Sequence, residues 1–389
     1  MNFSDFTNLF DGFKDLGAHP LMIVMLLIGA LLVYLGVARR FEPLLLIPIG
    51  TGIILANLPL GELIKPATEG QSGGFLWYFY KYTLSNELLP LLVFLGLGAL
   101  TDFEPMLSNP RTILLGAAAQ LGVFCAFIGT LALGLTPWFH FGLKEAASVG
   151  IIGGADGPTT IYVATGMMER GGRDILGAVA VAAYSYMALV PIIQPPVIKL
   201  LTTREERLIK MPYTFRPVSK RTLIIFPIAT AIVTGFLVPR AAPLIGIMMF
   251  GNLLRECGVV ERLSKTAQNE LMNIVIILLG LSVGSTMTSE TFLKLETIAI
   301  FVLGLFAFGV STAGGVLLGK LMCALSGGKI NPMIGAAGVS AVPMSARVVQ
   351  NMASKEDPSN FLLMHAMGPN VAGVIGTAAA AGVFLALIH

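Results

Sequence analysis

Val149-Gly150-Ile151-Ile152-Gly153-Gly154-Ala155-Asp156-Gly157-Pro158-Thr159-Thr160 sets one carboxylate in the middle of an apolar, glycine-rich run. The chain around it reads as membrane: of 389 residues, 55% are hydrophobic and 12% charged. A soluble protein carries about 25% charged residues. A carboxylate at bilayer depth costs about 2.5–3.5 kcal/mol even on the lenient insertion scale, so Asp156 is expected to face a site, not lipid. The glycines and Pro158 interrupt the helical ladder and free backbone carbonyls. Irregular backbone at that depth is tolerated only where it is buried in protein or lines a cavity. A carboxylate beside unpaired carbonyls is an oxygen set suited to a hard monovalent cation. The stretch predicts an all-α polytopic membrane protein with a broken segment at an ion site.

Outward from Asp156, apolar runs near the length needed to span a bilayer lie at about 21–38, 42–58, 86–101, 112–135 and 175–200. A second set lies at about 222–238, 241–256, 271–286, 297–322 and 361–388. Between them are two Gly/Pro-interrupted apolar stretches, 146–166 and 331–349.

The halves resemble each other. Asn86-Glu87-Leu88 leads to Leu95-Gly96-Leu97 as Asn269-Glu270-Leu271 leads to Leu279-Gly280-Leu281. Arg40, Pro43, Leu44 and Ile47 recur as Arg240, Pro243, Leu244 and Ile247. Lys144, Gly150, Gly153 and Pro158 recur at one offset as Lys329, Gly335, Gly338 and Pro343. Interrupted segments at matching places in two halves point to a transport site at their interface.

Charge sets the expected topology. The stretch 201–221 holds Arg204, Arg207, Lys210, Arg216, Lys220 and Arg221 against Glu205 and Glu206, and Arg39-Arg40 follows the first span. The positive-inside rule puts both in the cytoplasm. That requires an even number of crossings between them, so 146–166 re-enters instead of crossing. Five spans per half then make the second repeat inverted. The expected organisation is a first repeat over 1–200, a basic cytoplasmic linker over 201–221 and a second repeat over 222–389, with both termini outside.

In the second broken segment, Asn331 and Ser340 offer neutral oxygens, and Gly335 and Gly338 permit close backbone approach. Pro343 stops the ladder. Arg347 is a fixed cation at the end of the run, placed to meet a carboxylate-bearing substrate. Elsewhere the signals are structural. Glu87 and Glu270 open helices, where a carboxylate suits the dipole; Asp102 and Glu104 sit in a polar loop and are expected to be solvated. His365 is a single histidine with no second metal-ligand residue beside it in the sequence, and is read as a packed residue. Cys125, Cys257 and Cys323 are scattered, which argues against disulfides and a transition-metal site. The formal charge of +3 carries no nucleic-acid signature. Residues Met1 to Gly17, with Asp5, Asp11, Lys14 and Asp15, lack a signal-peptide layout. Gly150 to Gly157 lacks the Lys-Ser/Thr ending of a nucleotide loop, so ATP is not expected to drive the chain directly.

Four stretches carry a family resemblance: Gly153 to Thr159, Ala183-Tyr184-Ser185-Tyr186-Met187-Ala188-Leu189-Val190-Pro191, the 331–347 block, and His365-Ala366-Met367-Gly368-Pro369-Asn370-Val371-Ala372-Gly373. From about residue 18 onward the chain resembles the membrane-embedded beta subunit of the sodium-pumping biotin-dependent decarboxylases, which act on oxaloacetate, methylmalonyl-CoA, glutaconyl-CoA or malonate. The resemblance implies that a soluble carboxyltransferase (alpha) partner loads biotin on a swinging carrier. The beta subunit then decarboxylates carboxybiotin, consumes a proton and exports Na⁺ from a bacterial or archaeal cytoplasmic (inner) membrane. It further implies a small single-span gamma-type subunit and a homo-oligomer of beta subunits.

By the same resemblance the family's functional Asp maps to Asp156, its Tyr to Tyr186, and its Asn, Gly, Ser and Arg to Asn331, Gly335, Ser340 and Arg347. Asp156, Asn331, Gly335 and Ser340 would bind Na⁺, with H⁺ and Na⁺ competing for Asp156; Tyr186 and Arg347 would address carboxybiotin, which a partner supplies. The loop 59–85 is short beside that of the oxaloacetate members, which leans towards an acyl-CoA substrate. The competing expectation is a free-standing secondary carrier exchanging Na⁺ with H⁺ or a carboxylate, because repeats and broken helices fit both.

Overall fold

The computed structural model describes residues 11–212 and 217–389; Asp5 and, within the basic linker, Arg216 fall outside them. Among the described residues the regular structure is helical, apart from one isolated bridge between Thr68 and Gln71. The first half contains α1 (Leu21–Ala38), α2 (Pro43–Ala56), α3 (Leu88–Leu100), α4 (Pro110–Gly134), α5 (Leu143–Ile152), α6 (Gly157–Glu169) and α7 (Leu176–Leu201). The second contains α8 (Lys220–Leu237), α9 (Ala242–Glu256), α10 (Glu261–Ser285), α11 (Leu295–Leu325), a short 3₁₀ segment (Pro332–Gly338), α12 (Met344–Glu356) and α13 (Leu363–Leu387).

Six of these helices, α1, α4, α8, α10, α11 and α13, are long and apolar enough to cross a membrane, and two bent pairs bring the number to as many as eight. The chain is a multi-pass membrane protein. Helices α2 and α9 have 14 and 15 residues. At 1.5 Å per residue they reach only about 21–23 Å, short of a bilayer core of about 30 Å. Their inner faces are buried against neighbours, so they need not match the lipid unaided.

One expected span is bent, and another is preceded by a helical segment set at an angle to it. Residues 175–200 read as one clean helix, but α7 turns by 63° between Met187 and Leu189. The cause is Pro191, which has no N–H for the carbonyl four residues earlier, that of Met187, and whose ring crowds it. Ahead of α3 lies the helical segment Phe75–Leu84, set at 61° to it. Glu87 breaks the chain there with φ +60°. Asn86 Nδ2 donates to the Tyr82 carbonyl at 2.9 Å, and in the second half Asn269 Nδ2 donates to the Lys265 carbonyl at 2.9 Å. Both blocks follow or contain a wide helical turn, Tyr80–Leu84 and Ala267–Leu271.

Helix pairings recur between the halves in exchanged form. Helix α2 packs on α10 as α9 packs on α3, and α7 packs on α11 as α13 packs on α4. At the centre α4 lies against α11.

Polar contacts sort the loops into two ends. At one end Arg207 Nε meets Glu356 at 2.8 Å, Lys210 meets Asp357 at 2.8 Å, Lys320 meets Glu206 at 3.3 Å and Lys220 meets Glu256 at 3.4 Å. Asp102 and Glu104 belong to this end and are less solvated than their sequence suggested. Asp102 pairs with Arg255 at 3.3 Å, and Glu104 accepts from the Val218 N–H at 3.3 Å, because the linker folds back over their loop. At the other end Arg173 forms a two-pronged pair with Glu296 at 2.7 and 3.0 Å. Arg170 there donates to the Leu385 and Ile388 carbonyls at 2.6 Å each, and Asn57 donates to the Met287 carbonyl at 2.8 Å.

Candidate ion-binding site

The first broken segment is two half-helices joined at Gly153-Gly154-Ala155-Asp156. Helix α5 ends at Ile152, and Ala155 at φ +52° turns the chain so that Asp156, extended at φ −121°, starts α6. Asp156 caps that new helix: Oδ1 accepts the Thr159 N–H at 3.1 Å, and its carbonyl accepts the Thr160 hydroxyl at 2.6 Å. A carboxylate suits a helix N-terminus because it satisfies an orphan N–H and faces the positive dipole end. The second oxygen, Oδ2, is different. It is buried without a hydrogen-bond partner, and so is the Thr159 hydroxyl.

The second broken segment crosses the first here. The Ser340 N–H donates to the Gly154 carbonyl at 3.0 Å, tying the irregular stretches of the two halves together. Ser340 Oγ lies 2.5 Å from Thr377 Oγ1 on α13. Thr377 Oγ1 lies 3.2 Å from Gln120 Oε1 and also reaches the Gly373 carbonyl at 3.1 Å. Beside this crossing is a cavity of about 110 Å³. Asp156, Ser340, Tyr184 and Thr101 are its polar wall, and the rest is apolar, with Val93, Leu97, Met272 and Leu279. A small, mostly apolar chamber with one unpaired carboxylate oxygen suits a bare monovalent cation, because a buried charge must be paired to persist.

The sequence-predicted residues separate into three places. Asp156 and Ser340 share the cavity wall. Asn331 does not reach it. Its Oδ1 caps the 3₁₀ segment by accepting the Met333 N–H at 3.0 Å, and its Nδ2 holds the Arg207 and Ile209 carbonyls at 3.0 and 2.9 Å. Gly335 lies backbone to backbone against Gly315 of α11, where any side chain would strike a carbonyl. Arg347 is exposed on α12, within electrostatic reach of Glu42 at the start of α2.

The two tyrosines of Tyr184-Ser185-Tyr186 face different ways. The Tyr186 hydroxyl donates to the Phe301 carbonyl, and its ring meets that of Phe301 edge-on at 6.3 Å. It holds α7, near the bend, on α11. Tyr184 instead lines the Asp156 cavity, its ring so close to Gly157 that a Cβ there would come within 2.6 Å of Cζ. That contact needs glycine at position 157.

Sequence reasoning also passed over the amides that hold the second segment in shape. Asn370 Nδ2 donates to the Ala337 and Val339 carbonyls at 2.9 and 2.7 Å, and Gln194 Nε2 to the Ala336 carbonyl at 2.9 Å. Gln120 Nε2 bridges the Gly116 and Gly373 carbonyls at 3.2 Å each. The signal was present: a lone Asn or Gln in an apolar span usually hydrogen-bonds across helices, and backbone freed from a helix needs such donors.

The chain matches the family described as the Na⁺-transporting oxaloacetate decarboxylase beta subunit over residues 21–388. It is 53% identical over 383 residues to the methylmalonyl-CoA decarboxylase subunit beta of Propionigenium modestum, covering 94% of each chain. It is 55% identical over 366 residues to the glutaconyl-CoA decarboxylase subunit beta of Acidaminococcus fermentans, covering 94% of this chain and 92% of the other. With the oxaloacetate decarboxylase beta chain of Klebsiella pneumoniae it shares 49% over 423 aligned positions, 96% of each. That alignment exceeds the 389 residues of this chain, so the Klebsiella protein carries residues that this one lacks. Similarity of this depth along nearly the whole length places the chain in the family of the Na⁺-transporting oxaloacetate decarboxylase beta subunit.

Proposed function

We propose that the chain is the Na⁺-exporting membrane subunit of an acyl-CoA decarboxylase complex, with Asp156 as the anionic ligand of the exported ion. The observation that carries the site is Asp156 Oδ2, buried on a cavity wall without a partner where the two broken segments cross. Thr159 Oγ1, Ser340 Oγ and nearby backbone carbonyls complete an oxygen shell around it. Na⁺ and H⁺ compete for that oxygen, which couples proton uptake to ion release. Asn331 and Gly335 shape the shell from outside it, one by capping and one by close packing.

Moving one charge against about 100 mV costs roughly 2.3 kcal/mol. The chemistry meant to drive it is loss of CO₂ from N-carboxybiotin. The N–C bond breaks, CO₂ leaves, and the nitrogen takes the proton. In this reading Tyr184 is the tyrosine that addresses the cavity, Tyr186 fixes the bend of α7, and Arg347 meets the substrate carboxylate. A carboxyltransferase partner and a biotin carrier complete the cycle on the cytoplasmic face, at the end holding residues 201–221. The termini lie outside and the second repeat is inverted, a reading supported by the segregation of loops and the exchanged helix pairings. The membrane is the cytoplasmic one of a bacterium or archaeon. A gamma-type single-span subunit and further beta copies would cover the apolar faces of α1 and α8, where Leu27, Leu31, Ile232 and Phe236 are exposed. The acyl-CoA assignment rests on the short 59–85 loop and on the compact alignments with acyl-CoA members.

The test is Asp156→Asn in the assembled complex, reconstituted into vesicles with Na⁺ uptake and CO₂ release recorded together. Na⁺ uptake and the Na⁺-dependent part of CO₂ release are both abolished if the reading holds; retained Na⁺-dependent transport would overturn it.

A further inference from the structure

Three buried side-chain oxygens in one stretch lack a hydrogen-bond partner among the described residues: Asp156 Oδ2 and the hydroxyls of Thr159 and Thr165. Every other such oxygen among the described residues belongs to an amide, of Gln194, Asn252, Asn360 or Asn370, whose nitrogen is bonded. A helical threonine ordinarily returns its hydroxyl to the carbonyl four residues earlier. Thr130, Thr160 and Thr312 do so. Thr159 and Thr165 are fully buried on α6 and do not.

Asp156, Thr159, Tyr162 and Thr165 stand three residues apart, so each is the helix-surface neighbour of the next. At 1.5 Å per residue the row climbs about 13 Å from the cavity, towards the end that holds Arg170. There it meets a second carboxylate. The sequence assigns Glu87 to the N-terminus of its own helix, but no side-chain bond from it caps α3. It turns to α6 instead. The Tyr162 hydroxyl donates to it, and a Cβ at Gly166, one turn beyond Tyr162, would come within 2.8 Å of Oε1. Helix α3 keeps the same register: Val93, six residues inward from Glu87, shares the cavity wall with Asp156, which is six residues inward from Tyr162.

Glu87 is half-buried and Glu169 exposed, so the row ends at water. Glu169, Arg170 and Arg240 stand within electrostatic reach of Glu87. Two arginines against two carboxylates leave this end near neutral, where a cation is held weakly and let go. Passage needs binding favourable enough to enter and weak enough to leave.

We infer that Thr159, Tyr162 and Thr165 hand the exported cation outward along α6, and that Glu87 is its last protein ligand before water. The inference rests on Asp156 as the ligand of the exported ion and adds an exit site for Na⁺.

The test uses the complete complex in vesicles with the linker end outward. CO₂ release from added N1-carboxybiotin is followed while NaCl in the lumen is varied at constant ionic strength. Valinomycin with equal K⁺ on both sides holds the membrane potential at zero, so that lumenal Na⁺ acts by occupying the exit. For Glu87→Gln we expect the lumenal Na⁺ concentration that halves the rate to rise by about tenfold or more, as loss of one charged ligand implies. The external Na⁺ concentration for half-maximal rate reports on Asp156 and stays within about twofold of wild type. Glu87→Asp, which keeps the charge, should shift less than Glu87→Gln. Thr165→Val keeps the shape and removes an unpaired buried hydroxyl, so it should unfold no more readily than wild type. It should still raise the inhibitory concentration about threefold. Unchanged inhibition in Glu87→Gln, or in Thr165→Val should Glu87→Gln not fold, overturns the exit site, as does a wild type that lumenal Na⁺ fails to inhibit. Wild-type CO₂ release with no dependence on external Na⁺ would instead overturn the reading of Asp156.

Discussion

Asp156→Asn separates the two jobs that one side chain performs. Asparagine caps a helix about as well as aspartate, so the bond from the Thr159 N–H to Oδ1, worth about 1 kcal/mol, survives. What disappears is the charge on Oδ2, which is buried without a partner. A buried neutral polar group left unpaired costs about 1–3 kcal/mol and a charged one more, so in Na⁺-free buffer the variant should be no less stable than wild type. Sodium should reverse the order. A ligand at 100 times its Kd stabilises the folded state by about 2.7 kcal/mol. With an unfolding entropy of about 2.1 cal/mol/K per residue, that corresponds to roughly 3 °C for a chain of this length. The assay is thermal unfolding of purified protein in detergent, followed by intrinsic fluorescence, in NaCl against KCl at equal ionic strength. Wild type should gain the 3 °C in Na⁺ and Asp156→Asn should gain none. Asp156→Ala, which loses the cap as well, should be less stable than Asp156→Asn in both salts. An Asn variant that still responds to Na⁺ would place the cation elsewhere and sink the argument.

Two further predictions follow from other contacts. Thr377→Val removes the hydroxyl that Ser340 Oγ and Gln120 share, so the crossing should loosen by about 1–3 kcal/mol, seen as a lower Tm and a weaker apparent affinity for Na⁺. An unchanged Na⁺ response would show that the hydroxyl chain does not support the site. At the linker, hydrogen bonds from Lys210 and Ser359 push the Asp357 carboxyl down to about 2. A depressed carboxyl contributes stability that is complete above its unfolded value, about 3.9, and is lost as pH falls towards 2. The linker should therefore resist an acid-active protease at pH 4 and yield as the pH approaches 2, and Lys210→Ala should move that loss upward; cleavage that is equal at both pH values would refute the pairing.

The elements were legible because membrane spans are written in long apolar runs, and all ten expected runs correspond to helices. The bend of α7 was not read, although Pro191 stood in plain view. Proline interrupts the ladder wherever it stands, but how far a membrane helix then turns depends on the neighbours that satisfy the freed carbonyl, and the neighbours are a tertiary fact. Polar atoms beside broken backbone are costly unless they are used, and Asp156 and Ser340, singled out on that ground, share one cavity wall. The two tyrosines were beyond sequence reasoning. Tyr184 and Tyr186 are two residues apart, and a helix sends such side chains about 200° apart. Which one meets Asp156 depends on where α11 lies. Asn331 looked like a ligand because its oxygen was counted as free, whereas the short 3₁₀ segment after it claims that oxygen as a cap.

The exchange of helices between the halves also bears on how the protein is made. The buried face of α2, with Leu45, Ile49 and Ile53, is covered by α10, whose Met272 follows more than 200 residues later. At about 5–20 residues per second, a ribosome needs roughly 10 to 45 seconds to deliver that partner. Through that interval a helix of 14 residues, too short to span by itself, has to wait in the bilayer or at the insertion machinery. Helix α1 covers one side of α2 at once, but the side that α10 covers stays open, so the first half is an unfinished product until the second arrives.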